Sequence, residues 1–149
     1  MKDLNLTVKQ TNFEKIRTLR HQVLRPGKPF SSTEYKKDTD KNTIHLVCEY
    51  KKKIITCATF YPQPTKKKPS KKAYRLRGMA TDPKYRRRGC GKTLMITSFS
   101  LLKEKRCEIL WCKARLIAVE FYESLGFKKE GKIFNIEGIG PHYYMYKTI

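Results

Sequence analysis

Arg86, Arg87, Arg88 and Lys92 surround two glycines, Gly89 and Gly91, in the stretch Thr81-Asp82-Pro83-Lys84-Tyr85-Arg86-Arg87-Arg88-Gly89-Cys90-Gly91-Lys92. Glycine has no Cβ, so the backbone there can approach a ligand closely. Where a strand turns into a helix, the first helical amides have no internal acceptor, and the helix dipole adds partial positive charge. Those residue types at that spacing suit one chemistry, the binding of a phosphate-bearing anion.

Two familiar phosphate loops fit the sequence poorly. Gly91-Lys92-Thr93 matches the end of the nucleotide loop Gly-x4-Gly-Lys-Ser/Thr, but that loop needs glycine where Arg86 stands. Gly-x-Gly-x-x-Gly is absent, which leaves a dinucleotide fold without support. Cys107 and Cys112 are spaced too widely for paired metal ligands and have no His beside them, so no metal is expected.

The elements that position the loop can be read from periodicity. Leu4, Leu6 and Val8 alternate with polar residues as a first strand would. Thr11 and Glu14 fit a capping box, followed by Phe13, Ile16, Leu19 and Val23 at helical spacing, and Pro26-Gly27 ends that helix. Residues 31–37 are expected as a second short helical turn with a Ser31/Glu34 box. Residues 43–50 and 54–61 read as strands joined by a tight hairpin at Lys51-Lys52-Lys53. Residues 62–72, with three prolines and five lysines, read as a solvated, mobile loop.

Residues 74–81 form the strand before the glycines, and 93–105 the helix after them, with Leu94, Ile96, Leu101 and Leu102 on its apolar face. A short strand at 108–112 has Ile109 and Trp111 on one side. Ala118, Phe121, Tyr122 and Leu125 are spaced as a buried helix face, with Gly126 as its C-terminal cap and Phe127 in the accompanying contact. Strands at 132–136 and 143–147, linked by 138–141, end the chain. This order implies an α/β (α+β) fold: a mixed central sheet of about seven strands with helices on both faces.

Composition bounds the rest. The 149 residues fit one domain, 1–149, and 39% hydrophobic residues make it globular. The net charge of +21 suits an anionic cofactor, acidic substrates or nucleic acid, and equally a solvated lysine surface. The longest apolar run, near 54–60, is far too short for a membrane span, and the first five residues hold no signal core. Five cysteines without framework spacing point to free thiols in a reducing, cytoplasmic compartment.

Arg86-x-x-Gly89-x-Gly91 resembles the acyl-CoA loop of the GNAT superfamily of N-acetyltransferases, Gln/Arg-x-x-Gly-x-Gly/Ala. The context strengthens the resemblance. Leu76, Gly78, Met79 and Ala80 precede the loop, and an amphipathic helix follows it. Beyond these come Trp111-Cys112-Lys113-Ala114-Arg115 and Ala118-Val119-Glu120-Phe121-Tyr122-Glu123-Ser124-Leu125-Gly126-Phe127, which is similar to the family's Ala-x-x-Phe-Tyr-x-x-x-Gly-Phe segment. Gly138-Ile139-Gly140-Pro141-His142-Tyr143 resembles a bacterial branch of the superfamily. The resemblance spans nearly the whole chain and is most specific over residues 74–127.

The resemblance implies acetyl transfer from acetyl-CoA to an amine whose identity the sequence does not give. It implies that the amides of Arg87, Arg88, Gly89, Cys90, Gly91 and Lys92 bind the pyrophosphate. Arg86, Arg87, Arg88 and Lys92 would neutralise further charge. The backbone of Met79, Ala80 and Thr81 would pair with the pantetheine arm, with Gly78 marking the bulge that opens this edge. Tyr122 is implied as the proton donor to the departing thiolate, a role its ordinary pKa of roughly 10 allows. Lys113 stands where many relatives carry Asn, and is left out of the site. His45, Glu49 and His142 are candidates for a general base without singling one out. A homodimer rests on family habit alone. The rival readings are a basic nucleic-acid-binding module, disfavoured because the aromatics fall on core faces, and a non-catalytic CoA-binding domain.

Overall fold

A computed structural model describes residues 5–69 and 71–149. Leu4, in the expected first strand, and Ser70, in the expected lysine loop, lie outside them. The chain divides into two compact units: one runs to Tyr61 and takes in Gly78–Leu101, the other comprises Pro62–Arg77 and Leu102–Ile149.

The first unit contains β1 (Thr7–Thr11), α1 (Phe13–Leu24), β2 (Ile44–Tyr50), β3 (Lys53–Pro62), the second half of β4 (Ala73–Thr81) and most of α2 (Cys90–Glu104). The cap of α1 is Asn12, whose side-chain oxygen accepts from the Lys15 amide at 3.2 Å. Thr11, the expected cap, is instead drawn into β1 opposite His45, because ladder pairing satisfies its backbone better than a cap. Ile16 and Leu19 turn inward against Val47, Cys57 and Ala80, with Val23 packed beside them. Full burial of each large apolar side chain contributes about 1.5–3 kcal/mol.

The expected second helical turn shrinks to a 3-10 turn at Phe30–Thr33. Its Ser31/Glu34 box is not made: the Glu34 amide closes the turn on the Ser31 carbonyl at 3.1 Å, and the Glu34 carboxylate pairs with Arg17 at 3.0 Å. β2 and β3 pair through Tyr50 and Lys53. The two linking residues, Lys51 and Lys52, both have positive φ, 49° and 65°, as a twist-matched two-residue hairpin turn requires.

α2 begins three residues earlier than expected, at Cys90. Leu94, Met95 and Leu102 are buried in it, but Ile96, expected on that face, is 50% exposed. The fully buried Ser98 takes its share of the inner face by bonding the Met95 carbonyl.

The second unit contains the first half of β4, β5 (Ile109–Arg115), a 3-10 turn at Leu116–Ala118, α3 (Val119–Ser124), β6 (Lys128–Ile136) and β7 (Gly140–Thr148). β5 lies parallel to β4 through Ala73, Tyr74 and Arg75, and β7 lies antiparallel between β5 and β6. Ala73, Ile109, Trp111 and Tyr144 form the buried cluster here. β5 to β7 all run longer than expected, and the 138–141 link is shorter, since Gly140 and Pro141 already pair in β7.

The lysine loop is not a free, mobile segment. Thr65 is 3% exposed and hydrogen-bonds the Tyr144 hydroxyl. The Gln63 carbonyl accepts from Trp111 Nε1 at 3.0 Å, and Lys67 and Lys68 lie over the rings of Tyr144 and Tyr146. These contacts order the loop, and the intervals of its sequence carry no periodic signal that would announce them.

The seven strands are ordered β1-β2-β3-β4-β5-β7-β6 in one mixed sheet. All five cysteines are free and buried.

Candidate functional site

The loop is anchored at both ends. Asp82 donates its backbone N–H to the Ile55 carbonyl at 2.8 Å. Its carboxylate accepts from the Lys84 amide at 3.0 Å and pairs with Lys53 at 3.3 Å. The Lys84 amide, chiefly, holds the Asp82 carboxyl below its ordinary value, with Lys53 adding to the effect. This carboxylate caps the 3-10 turn Pro83–Tyr85, in which proline takes the first position. At the other end the Cys90 thiol, 2% exposed, points at the Tyr85 carbonyl from 3.7 Å.

Between those anchors the backbone twice takes a left-handed conformation, at Arg87 (φ 61°) and Gly89 (φ 81°). Gly89 then caps α2: its carbonyl accepts from the Thr93 amide at 2.9 Å, the first bond of that helix. The amides of Cys90, Gly91 and Lys92 therefore precede the first internal donor of the helix. A Cβ added at Gly89 would meet no atom within 4 Å, so its open side faces free space. Arg86, Arg87, Arg88 and Lys92 are all exposed around it. Together these make an array of amides and cations of the kind that suits a phosphate.

Met79, Ala80 and Thr81 lie at the end of β4, in the same unit as the loop. Ala80 is buried against α1, and the Thr81 hydroxyl bonds that of Thr56 at 3.2 Å. Gly78 has φ +66°, a left-handed residue inside a strand, as the expected bulge needs. It also has a second reason to be glycine. A Cβ there would stand 2.9 Å from Arg20 Nε and 3.2 Å from the Tyr35 ring.

Arg20 is the residue that sequence reasoning missed. It sits one turn after Ile16 on α1 and is fully buried. It grips Asp38 with two bonds of 2.8 and 2.9 Å, the Thr33 carbonyl at 2.7 Å and the Thr59 hydroxyl at 2.6 Å. His45 joins this network: one ring nitrogen meets Thr59 and the other the Asp38 carbonyl, each at 2.8 Å. Helical spacing in line with Ile16 was the available signal. Of the three candidate bases, His45 is thus tied into a buried scaffold, Glu49 is paired with Lys9, and His142 is buried against the Gly140 carbonyl.

Tyr122 lies in the second unit, on α3, 5% exposed. Burial pushes its phenol well above its ordinary value, and the neighbouring Cys112 adds to that. A phenol in this state keeps its proton, the form a general acid needs. α3 ends in a left-handed Gly126 (φ 94°). The Gly126 amide bonds the Glu123 carbonyl at 3.0 Å and the Phe127 amide the Tyr122 carbonyl at 3.1 Å, the paired closure of a Schellman cap.

Among the described residues no group of three or more His, Cys, Asp or Glu is arranged to hold a metal ion, and no helix is long and apolar enough to cross a membrane.

Comparison with known proteins bears on the fold and the family. An aminoglycoside 6'-N-acetyltransferase complexed with coenzyme A superposes with a TM-score of 0.78 at 13% identity, over 95% of this chain and 96% of that one. The ribosomal-protein-S18-alanine N-acetyltransferase of Escherichia coli gives 0.73 at 18% identity, over 97% and 94%. At these identities the likeness is one of fold. A curated relative from Bacillus subtilis (strain 168), the uncharacterized N-acetyltransferase YitI, is 38% identical over 144 residues, 97% of each chain. The model of the acetyltransferase (GNAT) family matches residues 12–127, a span that takes in the anchored loop, β4, β5 and α3. On that match and that relative, the chain belongs to the acetyltransferase (GNAT) family.

Proposed function

We propose that the protein transfers the acetyl group of acetyl-CoA directly to an amine, with Tyr122 as the general acid. The observation that carries the reading is the loop itself: two left-handed residues, Arg87 and Gly89, turn the chain into α2. The amides of Cys90, Gly91 and Lys92 are thereby left to a ligand. The pyrophosphate of CoA fits that array, with Arg86, Arg87, Arg88 and Lys92 countering its charge. The backbone of Met79, Ala80 and Thr81 pairs with the amides of the pantetheine arm as an added strand would.

In the reaction the neutral amine attacks the thioester carbonyl carbon, the C–S bond breaks, and the electron pair leaves on sulfur. The Tyr122 proton goes to that thiolate, and the attacking nitrogen loses its extra proton to water. A raised phenol pKa keeps Tyr122 protonated until charge develops on sulfur.

Calorimetry with CoA, followed by an amine screen for CoA release, tests this. Binding and amine-dependent release are expected. Binding without release from any amine would favour a CoA-binding domain without catalysis, and no binding would overturn the reading.

A further inference from the structure

Gly78 holds its left-handed φ of 66° inside β4, directly before Met79, Ala80 and Thr81. What leans on it is a charged side chain from α1. A Cβ at Gly78 would stand 2.9 Å from Arg20 Nε. Nε is also the one side-chain nitrogen of Arg20 without a hydrogen-bond partner among the described residues. The two terminal nitrogens make all four of its bonds: two to Asp38, one to the Thr33 carbonyl and one to the Thr59 hydroxyl. The guanidinium is therefore gripped at its outer edge, while its Nε side rests against the glycine.

The grip comes from separate segments. Thr59 belongs to β3, and Thr33 and Asp38 to the stretch between α1 and β2. The Tyr35 ring centre lies 4.0 Å from the guanidinium carbon, and the Tyr35 amide fixes the Asp38 carboxylate at 2.7 Å. From β3 the Cys57 thiol points at the Gly78 carbonyl from 3.6 Å. Two residues on, Ala80 is buried against Ile16 and Leu19 of α1.

A buried ion pair is a poor device for stability, because apolar residues of similar volume often serve as well. What this pair supplies is a rigid plane at a fixed place. A left-handed glycine gains from such a wall, since glycine takes positive and negative φ about equally. A change of φ at Gly78 would redirect the N–H and C=O groups of Met79, Ala80 and Thr81.

We propose that Arg20 is a positioning residue for the cofactor: with Asp38 and Thr59 it locks the φ of Gly78 and so aims the 79–81 backbone at the pantetheine arm. The inference rests on the reading in which acetyl-CoA pairs with that backbone. It divides binding in two. The pyrophosphate at the amides of Cys90, Gly91 and Lys92 is independent of Arg20, and the arm depends on it.

The test compares CoA with ADP by calorimetry, since ADP carries a pyrophosphate and no pantetheine arm. Arg20→Met combined with Asp38→Asn removes both charges together, and Asn keeps an acceptor for the Tyr35 amide. Thr59→Val keeps the shape of the side chain and removes one of the four bonds. The double variant should bind CoA about ten- to a hundredfold more weakly, the loss of about two backbone hydrogen bonds, and bind ADP as the unaltered protein does. Thr59→Val should weaken CoA binding by a smaller factor and leave ADP binding alone. It carries the comparison if the double variant does not fold.

CoA affinity unchanged in every folded variant would overturn the inference and leave the acetyl-CoA reading standing. Equal weakening of CoA and ADP would make Arg20 a support of the fold alone, and overturn the inference too. An unaltered protein that binds CoA but not ADP, or binds both equally, has no separate arm contribution to position, which also overturns it. No CoA binding by the unaltered protein removes the acetyl-CoA reading and this inference together.

Discussion

The rings of Tyr122 and Phe127 lie 5.2 Å apart and are tilted by 56°, and the same two residues close the end of α3 through the Phe127 amide and the Tyr122 carbonyl. The position of Tyr122 is thus fixed by its ring and its backbone.

Tyr122→Phe keeps the ring and the helix cap and removes only the proton donor. We expect kcat to fall by about 10²–10⁴-fold, with acetyl-CoA affinity and unfolding midpoint nearly unchanged. Full turnover on a competent amine, with chemistry rate-limiting, would assign the proton to water or another group. Phe127→Ala should do the reverse at equilibrium, lowering stability by about 3–5 kcal/mol in urea unfolding.

Gly89→Val places a β-branched side chain at a φ of 81° and on the open side of the loop. Binding of CoA by calorimetry should be abolished while the circular dichroism spectrum of the fold persists. Affinity equal to that of the unaltered protein would remove the loop from the site.

The buried pair of Arg20 and Asp38 should behave as a unit. Removing either partner leaves an uncompensated buried charge, a loss of about 3–5 kcal/mol measurable by chemical unfolding. Gly78→Ala should also destabilise, because the new methyl would meet Arg20 Nε at 2.9 Å. Additivity between Gly78→Ala and Arg20→Met would contradict that contact, since neighbours are expected to couple.

His45 should make stability depend on pH. Burial, above all, pushes its imidazole below the ordinary value of 6.5, and the Arg20 guanidinium adds to this, against the opposing pull of Asp38. The unfolded chain then binds a proton at a higher pH than the folded one. The stability this neutral imidazole contributes is fully present above about pH 6.5 and is lost as pH falls through the lower folded value. Unfolding free energies measured from pH 8 down to pH 5 should fall more steeply for the unaltered protein than for His45→Asn. Parallel curves would show that His45 titrates alike in both states.

If the basic surface is a steering field for small anions, DNA retention should be weak, indifferent to sequence and lost steeply with added salt. Tight, sequence-selective binding at physiological ionic strength in a gel-shift assay would return nucleic acid to the list of partners.

Periodicity and local chemistry alone determined a good deal here. The apolar runs of β2 and β3, the spacing Ile16-Leu19-Val23, and glycine at 89 and 126 each report a local requirement, a buried segment, a buried face or a left-handed residue. Short-range sequence can encode such requirements, so strands, the loop and the cap of α3 were legible. The Arg86-x-x-Gly89-x-Gly91 spacing marked the turn from β4 into α2 for the same reason. Tertiary structure alone decided what depends on distant partners. Thr11 became a strand residue because His45 pairs with it. Arg20 could be buried because Asp38, Thr33 and Thr59 converge on it. The lysine loop was ordered because Trp111 and Tyr144 hold it. Lys113 acquired two arginine neighbours only through the parallel pairing of β4 with β5. A buried charge or an anchored loop is stable only with partners that lie tens of residues away, and no local pattern announces where those partners will be.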